Sequence, residues 1–572
     1  MFNDDLDDAY PSTGSQKIDS GSSHKYSEKG GHRDRNDRNN RDRGERDREG
    51  GNVYQASTQI PEPVKNFLLV FQHALQEHNI YQIQNIYETG FDRMTEQYFK
   101  TRPWPAVDDV QDLVGNDQVF LMLYRELYYR HIYASVPQGP NLNQRFESYY
   151  NYCALFNMML QPEDEPIRLE LPNLWLWDII DEFIYQFQQF AHFRSRLSNK
   201  SKEELAKLDK NQGVWNIHSV LNVMYSLIAK SRINEQLSAY NSGIAQERID
   251  EIAGKFGGHP LYKFLGFFAL VGLCRLQCLI GDYYLAVTVV DNIQLHKKGM
   301  TWSPVPSCQI TMYYYVGFAY LMMRRYSDSI KCFTDILLYI QRTKNVFHVR
   351  SYQQDMIQKQ TDQMYYLLQI CLALHPQTID ESVTRSMNDK LGSGDRMQKL
   401  QRGGTGGQNA EEDFLGEMEQ LFLFACPKFI SPTLPNFNEK KDNHKDMLNL
   451  QARVFMDEVR EQSKIAVIRS FLKLYSSISI QKLAGFMNLS EAELRTHLMT
   501  FKHKMKNLVW SGGASSLDGQ FKIASDIDFY VDGDMIHIAD TKVAAKYGEY
   551  FIAQIQKCDE LKKRIKAINV HH

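Results

Sequence analysis

The sequence has few of the features that mark membrane, secreted or nucleic-acid-coating proteins. Its longest apolar run extends from Phe264 to Cys274, well short of the roughly 18 residues that a membrane span needs. The eight cysteines show no paired spacing, so no disulfide framework is indicated. A net charge of only −3 provides no overall attraction to nucleic acid or acidic lipid. We therefore expect a chain that does not cross a membrane.

Motifs for catalysis and for cofactor or metal binding are also missing. The sequence has no phosphate-binding Gly-x-x-x-x-Gly-Lys loop, no His-Glu-x-x-His and no Gly-x-Ser-x-Gly. Cys274 and Cys278 lie one helical turn apart, but their apolar neighbours favour buried structural thiols over a metal site. A calcium loop counted from Asp528 fails, since Tyr530 is third and Ala539 twelfth. We expect no enzyme activity, cofactor, metal or small-molecule substrate.

The start of the chain and the cysteine usage indicate the cytoplasm. Residues 1–8 carry four Asp and no cation, whereas secretory and mitochondrial presequences are basic. Unpaired cysteines are typical of reduced thiols in the cytosol. A cytoplasmic location is the expectation.

Residues 1–58 form one compositional block, rich in Asp, Arg, Ser, Gly and Asn and nearly free of aliphatic side chains. Such a segment buries too little apolar surface to offset its ordering entropy, so a disordered tail is predicted. Within residues 31–49, seven Arg alternate with six Asp or Glu. Because these charges nearly cancel, a solvated tail is favoured over an RNA-binding arm.

From Pro61 onward the apolar residues repeat with the helical period of 3.6. The first stripe comprises Val64, Phe67, Leu68, Phe71 and Leu75. Further helices are predicted at 119–132, 146–160, 174–193 and 214–229, separated by short breaks rich in Pro or Gly. No alternating strand pattern occurs before about residue 478. The pattern predicts a mainly α protein with an N-terminal helical domain at 59–255.

The middle of the chain contains a faint internal repeat. Residues 261–293 and 312–338 each read as two helices around a tight turn, and Tyr283 corresponds to Tyr326 at an offset of 43. Close helix crossing requires a small residue at Ala286 and at Ser329. Since one helix pair cannot cover its own apolar face, the pairs are predicted to stack into a solenoid over 256–462. A flexible Gly-rich loop is expected near 389–412.

The pattern of apolar residues changes in the last quarter of the chain. An apolar helix stripe at 465–475 is followed by a short segment at 478–480 and a helix at 481–487. A second helix starts at a capping box of Ser490 and Glu493. Strands are predicted at 521–531 and 535–539 around Asp532-Gly533, a strong hairpin signal. This order predicts a winged helix over 463–540.

The final segment, 541–572, is predicted to be one long amphipathic helix. Its apolar stripe needs a groove or a bundle to cover it, so it is a candidate protein-interaction surface. The candidate interaction residues are Tyr547, Phe551, Ile555, Cys558, Leu561, Ile565 and Ile568.

One basic cluster accompanies the second helix of the predicted winged helix. It consists of Arg495, Lys502, Lys504 and Lys506, with His497 and His503. The neighbouring predicted hairpin carries Asp526, Asp528, Asp532 and Asp534, whose negative charges would repel a phosphate backbone. Sequence-specific DNA binding is therefore disfavoured, while contact with ribosomal RNA or an acidic protein surface stays open.

Four stretches of the chain resemble a known family. Residues 477–494 resemble the winged-helix core of the PCI domain, which occurs in large cytoplasmic assemblies. This resemblance implies a PCI module at roughly 330–540. Residues 102–106 (Arg-Pro-Trp-Pro-Ala), 123–133 and 174–183 are more specific, and resemble the subunit L family of eukaryotic translation initiation factor three. The resemblance covers nearly all of residues 59–568, and nothing is carried over to the tail.

The resemblance implies a non-catalytic scaffold subunit that supports recruitment of mRNA and initiator tRNA to the small ribosomal subunit. It implies contacts with subunit K and with other PCI subunits, made through residues 478–539 and the C-terminal stripe. Two alternatives are a PCI subunit of another cytosolic assembly and a winged-helix RNA-binding regulator.

Overall fold

The computed structural model describes residues 60–567 apart from 138, 163, 296–304, 348–350, 392–399, 401–409, 438–440, 514, 524 and 526. The predicted tail at 1–58 and most of the predicted loop near 389–412 lie outside the described residues. The described part is mainly helical, as the periodicity predicts.

A helical body makes up most of the described chain. Its first helices are α1 (Glu62–Gln76), α2 (Ile80–Asn85), α3 (Phe91–Tyr98), α4 (Val107–Gln111), α5 (Gln118–Ser135), α6 (Leu142–Leu160), α7 (Asn173–Ser195), α8 (Lys202–Lys210), α9 (Ile217–Ser231), α10 (Ile233–Asn241) and α11 (Gln246–Gly257). A π-helical turn (Ile86–Gly90) joins α2 to α3. The helices predicted at 119–132, 146–160, 174–193 and 214–229 are confirmed as α5, α6, α7 and α9.

The repeat region and the C-terminal module follow. Their elements are α12 (Pro260–Ile280), α13 (Tyr283–Val289), α14 (Pro306–Met322), α15 (Tyr326–Phe347), α16 (Ser351–Leu374), α17 (Glu381–Leu391), α18 (Ala410–Ala425), α19 (Asp446–Leu472), β1 (Ser477–Ser479), α20 (Ile480–Met487), α21 (Glu491–Lys504), β2 (Lys506–Val509), β3 (Gln520–Ile523), β4 (Ile527–Asp532), β5 (Met535–Asp540) and α22 (Thr541–Ala567). Neighbouring helices pack in sequence, α14 on α15, α15 on α16, α16 on α18 and α18 on α19.

Helix α12 lies at the centre of the body and is buried nearly all round. Its length and apolar composition would suit a membrane span, but 83% of its most apolar window is covered by other parts of the protein. It packs on α7, α9, α13 and α14. A helix that is hydrophobic on every face is expected at such a position in a large core.

The two predicted repeat units are the pairs α12–α13 and α14–α15. In the first, Gly281 ends α12 with a φ of 87°, a left-handed conformation that suits glycine. In the second, the Ser329 hydroxyl donates to the Gly317 carbonyl at 2.8 Å. A Cβ at Gly317 would lie 2.5 Å from the buried Phe333 ring, so the ring from α15 packs directly against the α14 backbone there. Ser329 and Ala286 are buried, in agreement with the small residues that close crossing requires.

Two hydrophobic cores share one helix. The first core extends from Val64 to Val459, and the second from Ile465 to Ile536. Helix α19 contributes to both, so the cores meet inside a continuous helix rather than across a linker. The predicted boundary at 462/463 falls between these two sets of residues. This boundary and the other predicted domain limits stay predictions.

The strands differ from the sequence prediction. The single strand predicted at 521–531 is wrong, because β3 pairs antiparallel with β2 whereas β4 pairs with β5. The strand β2 was missed, since it follows α21 without a break and lies among basic residues. The sheet beside the helices has three strands in the order β1-β5-β4, not two. Asp532 pairs with Met535, so the hairpin turn is Gly533-Asp534.

A buried charge network joins the N-terminal helices. The Glu126 carboxylate accepts hydrogen bonds from Arg130 Nε at 3.0 Å and Trp175 Nε1 at 3.2 Å. The Tyr87 hydroxyl donates to Asp178 Oδ2 at 2.6 Å. Burial raises the pKa of Asp178 to about 7, while Arg130 opposes this shift. Most of these residues belong to the stretches 123–133 and 174–183, so those motifs hold helices together in the core.

The same network predicts an unusual dependence of stability on pH. Burial raises the pKa of Glu182 from 4.5 to about 8, so its carboxyl group is protonated in the folded protein where the unfolded chain has released the proton. Folding then takes up a proton between these pH values, and stability falls as pH rises through this window. We expect Glu182→Gln to raise the midpoint of thermal unfolding more at pH 8 than at pH 5. The gain in the free energy of unfolding should be larger at pH 8 than at pH 5 by on the order of 2 kcal/mol or more.

Glu419 on α18 is exposed and provides the matched control. Glu419→Gln should change the unfolding midpoint equally at both pH values. An equal effect of Glu182→Gln at pH 5 and pH 8 would contradict the prediction.

Candidate interaction surface at the C-terminal end

The second core fixes the C-terminal module, which comprises the end of α19, β1, α20, α21 and the β4–β5 hairpin. Its helices are set against the sheet by Leu483, Leu494, Leu498 and Ile536, all fully or nearly fully buried. The start of α21 is a capping box in which Glu493 and Ser490 bind each other's backbone N–H groups. The capping box read from the sequence is therefore confirmed.

Helix α22 leaves the sheet after β5 and exposes the predicted stripe. Tyr547, Phe551, Ile555, Leu561 and Ile565 are between 56% and 66% exposed. No residue of α22 belongs to either core among the described residues. The helix touches β4 and β5 and extends for about 40 Å at 1.5 Å per residue.

The other residues of interest are two candidates from the predicted stripe, a cysteine and an isoleucine, and one further tyrosine on α22. Cys558 is exposed, whereas Ile568 lies outside the described residues. Tyr550, which the sequence analysis missed, is 57% exposed and lies on the side of the stripe, three residues after Tyr547. Its helical spacing was the signal that would have included it.

The basic cluster is largely neutralised from within the chain. Arg495 Nη2 lies 2.6 Å from Asp534 Oδ1. Lys502 Nζ lies 3.6 Å from Asp528 Oδ1 and donates to the Phe529 carbonyl. Asp534 and Asp528 of the hairpin thus pair with these two cations of α21, which leaves both less available to a phosphate.

The remaining two cations of the cluster differ from each other. Lys504 Nζ donates to Glu458 Oε2 at 2.6 Å and also pairs with Glu461, so it ties α21 to α19. Lys506 is exposed and makes no ion pair within the part of the chain that the structure describes. His503 is exposed and His497 half-buried. The cluster therefore contributes one unpaired cation to the surface.

A segment between β2 and β3, called the strap (residues 510–519), connects the module to the helical body. Arg325 at the start of α15 donates to the Leu517 carbonyl at 2.8 Å and to the Asp518 carbonyl at 2.9 Å. Asp328 pairs with Arg325 at 2.7 Å and accepts from the Trp510 backbone N–H at 3.1 Å. Arg325 and Asp328 are both only 2% exposed. A buried ion pair thus holds the strap, and through it the module, against the body.

Among the described residues, no group of His, Cys, Asp or Glu is placed to hold a metal ion. Cys274 and Cys278 are buried, and Cys278 Sγ contacts the Tyr315 carbonyl at 3.5 Å. Burial raises the pKa of the Cys278 thiol well above its ordinary value. The thiols therefore belong to the core, as the sequence favoured.

The fold and this surface define a mainly helical protein whose C-terminal helix exposes a stripe of apolar side chains among the described residues. A family described as RNA polymerase I-associated factor PAF67 matches residues 144–558. Eukaryotic translation initiation factor 3 subunit L of Danio rerio is 52% identical over 89% of this chain and 89% of its own length. The subunit L of Nematostella vectensis is 52% identical over 91% and 95%, and that of Homo sapiens 51% over 89% and 91%.

The chain belongs to the family of eukaryotic translation initiation factor 3 subunit L. The resemblance read from the three upstream stretches is therefore confirmed. The candidate interaction residues on α22 and α21 stay predictions.

The strap predicts a specific defect. Arg325→Met leaves Asp328 buried without its partner and removes two hydrogen bonds to the strap. We expect the free energy of unfolding to fall by about 3–5 kcal/mol, with faster amide hydrogen exchange in residues 510–519. Arg460→Met, which breaks the exposed pair with Asp457, should cost less than about 1 kcal/mol. We call the hold of the Arg325–Asp328 pair on the strap the clamp. Unchanged amide hydrogen exchange in the strap of the Arg325 variant would rule it out.

Proposed function

We propose that this chain is a non-catalytic scaffold subunit of translation initiation factor 3. It would support recruitment of mRNA and initiator tRNA to the small ribosomal subunit. The single observation that carries the proposal is that a member of the subunit L family leaves the apolar stripe of α22 uncovered. An exposed stripe of this size on a long helix requires a partner to remove it from water.

The energy available from the stripe suits a stable subunit contact. Burial of Phe551, Ile555, Leu561 and Ile565 would contribute about 1.5–3 kcal/mol for each side chain. Ordering and association costs would offset part of that sum. The remainder is sufficient to hold a subunit when further contacts add to it.

The proposed partners are subunit K, other PCI subunits and, through the complex, the small ribosomal subunit. We assign the C-terminal module as a winged helix of the PCI type, because three helices pack on a three-stranded sheet with a short hairpin. The outer edge of β4 has no strand beside it among the described residues. An exposed strand edge is suited to pairing with another chain. A cytoplasmic location and the lack of a membrane or small-molecule substrate belong to the same proposal.

The stripe is tested by Phe551→Asp combined with Ile555→Asp. Both side chains are more than 60% exposed, so the substitutions should leave the thermal unfolding of the isolated chain nearly unchanged. In the cell, the two charges should prevent burial of the stripe, because a charge in an apolar interface is costly. We expect the tagged variant to lose its partner subunits, as measured by native mass spectrometry of the purified assembly.

Ala553→Asp combined with Gln556→Asp provides the matched control. Both residues are exposed and lie on the other side of α22 at 100° per residue. This variant carries the same number of introduced aspartates and should retain the partners. Full retention of the partners by the Phe551→Asp, Ile555→Asp variant would contradict the proposed interface.

Direct RNA contact by the basic cluster is the second candidate. Arg495 and Lys502 are already paired with Asp534 and Asp528, so reversing both charges should change the RNA affinity of the isolated chain by less than about two-fold. Filter binding between roughly 50 and 200 mM salt checks this, since phosphate contacts depend steeply on salt. A loss of about ten-fold or more, with a flatter salt dependence, would favour the RNA-binding regulator.

A further inference from the structure

A groove of about 630 Å³ lies between the helical body and the C-terminal module. The body contributes α13, α15 and α19, the module contributes α21, and the separate β2–β3 pair completes the lining. The strap forms part of the wall through Leu517. Because the Arg325–Asp328 pair fixes the strap, both walls of the groove keep a defined separation.

Three large apolar side chains are exposed in the groove. Tyr284 on α13 is 64% exposed, Met499 on α21 is 59% exposed and Phe521 on β3 is 73% exposed. They come from three different elements, of which α13 is distant in the chain from the other two, and they line one concave surface. Apolar side chains gathered in this way are characteristic of binding sites rather than of scattered surface residues.

The charges of the groove are mainly positive. Arg324, Arg325, Lys504 and Lys506 line it, and Glu458 is the carboxylate among its lining residues. Glu458 is shared by Arg324 at 2.8 Å and by Lys504 at 2.6 Å. Glu461, beside the groove, also pairs with Lys504. Arg325 is neutralised by Asp328. The other three cations face two carboxylates, and the occupant that fits is both acidic and apolar.

We propose that the first ten residues of this same chain bind in the groove. They carry Asp4, Asp5, Asp7 and Asp8 and no cation. Phe2, Leu6 and Tyr10 recur every four residues, a spacing that would bring three large apolar side chains to one side of a helix on binding. The segment thus presents apolar groups to the exposed side chains of the groove and carboxylates to its cations.

Other segments outside the described residues have the wrong charge for this groove. Residues 31–49 are nearly balanced, with seven Arg against six Asp or Glu. Residues 392–409 contain three cations, Arg396, Lys399 and Arg402, and one carboxylate, Asp395.

The chain between the first ten residues and the described structure is long enough to reach the groove. Forty-nine residues separate Tyr10 from Ile60, and a flexible chain of that length spans about 40 Å, compared with a radius of gyration of about 25 Å for a compact protein of this size.

The groove is tested in the full chain with p-benzoylphenylalanine in place of Met499. After irradiation at low micromolar concentration, mass spectrometry should find cross-links to residues 1–12 within the same molecule. Charge removal by Asp4→Asn, Asp5→Asn, Asp7→Asn and Asp8→Asn should lower their yield by about five-fold or more. Lys506→Glu should lower the yield in the same direction.

Two matched controls accompany the cross-linking. Changing Asp34, Asp37, Asp42 and Asp47 to Asn removes the same number of carboxylates from another part of the tail and should leave the yield unchanged. The photoreactive residue in place of the exposed Tyr225 on α9 should give no cross-link to residues 1–12.

Three outcomes would overturn the inference. The first is a yield that does not respond to the four Asp→Asn changes. The second is cross-linking between isotopically labelled and unlabelled molecules, which would make a second copy the occupant. The third is capture of another subunit at position 499 in the purified assembly, in place of residues 1–12. None of these outcomes bears on the α22 stripe, which is tested separately.

Discussion

The arrangement of the C-terminal end depends on one buried ion pair. Arg325 and Asp328 lie in a single turn at the start of α15, yet together they bind Leu517, Asp518 and the backbone of Trp510. Charges that are fully buried are stable only when their hydrogen-bonding capacity is filled, so the strap has little freedom to take another path. The strap is continuous with β2 and β3. Fixing it also fixes how the C-terminal module faces the helical body.

Helix α19 acts with this clamp. It supplies Phe455 and Val459 to the first core and Ile465 and Ile468 to the second. A continuous helix between two cores transmits orientation, because it bends only at considerable cost. The module is thus connected at two places, through α19 and through the strap. In contrast, α22 is connected at its start alone, and its stripe is left to be covered by something outside the described residues. A rigid platform that ends in an uncovered helix is a suitable architecture for a subunit of a large assembly.

The sequence predicted the helices well and the strands less well. Periodicity, prolines and capping residues are local signals, and they located α5, α6, α7, α9 and the capping box of α21. The strand at 521–531 was wrong because alternation of side chains does not reveal a change of partner. The chain from β3 to β4 moves from one sheet to another, a tertiary event without a local pattern. Likewise, stretches 123–133 and 174–183 marked the family, while their role as a buried charge network appeared only when the helices were brought together.

By itself the sequence determined the mainly helical class, the family and the apolar stripe on α22, because these follow from residues that are neighbours along the chain. The tertiary structure alone decided which cations are free. It pairs Arg495 with Asp534 and Lys504 with Glu458, and leaves Lys506 exposed. It also decided that Arg325 binds a carbonyl 192 residues away. Such pairings depend on distances in space between groups that no local spacing relates, and for that reason the groove and the clamp were beyond the reach of the sequence.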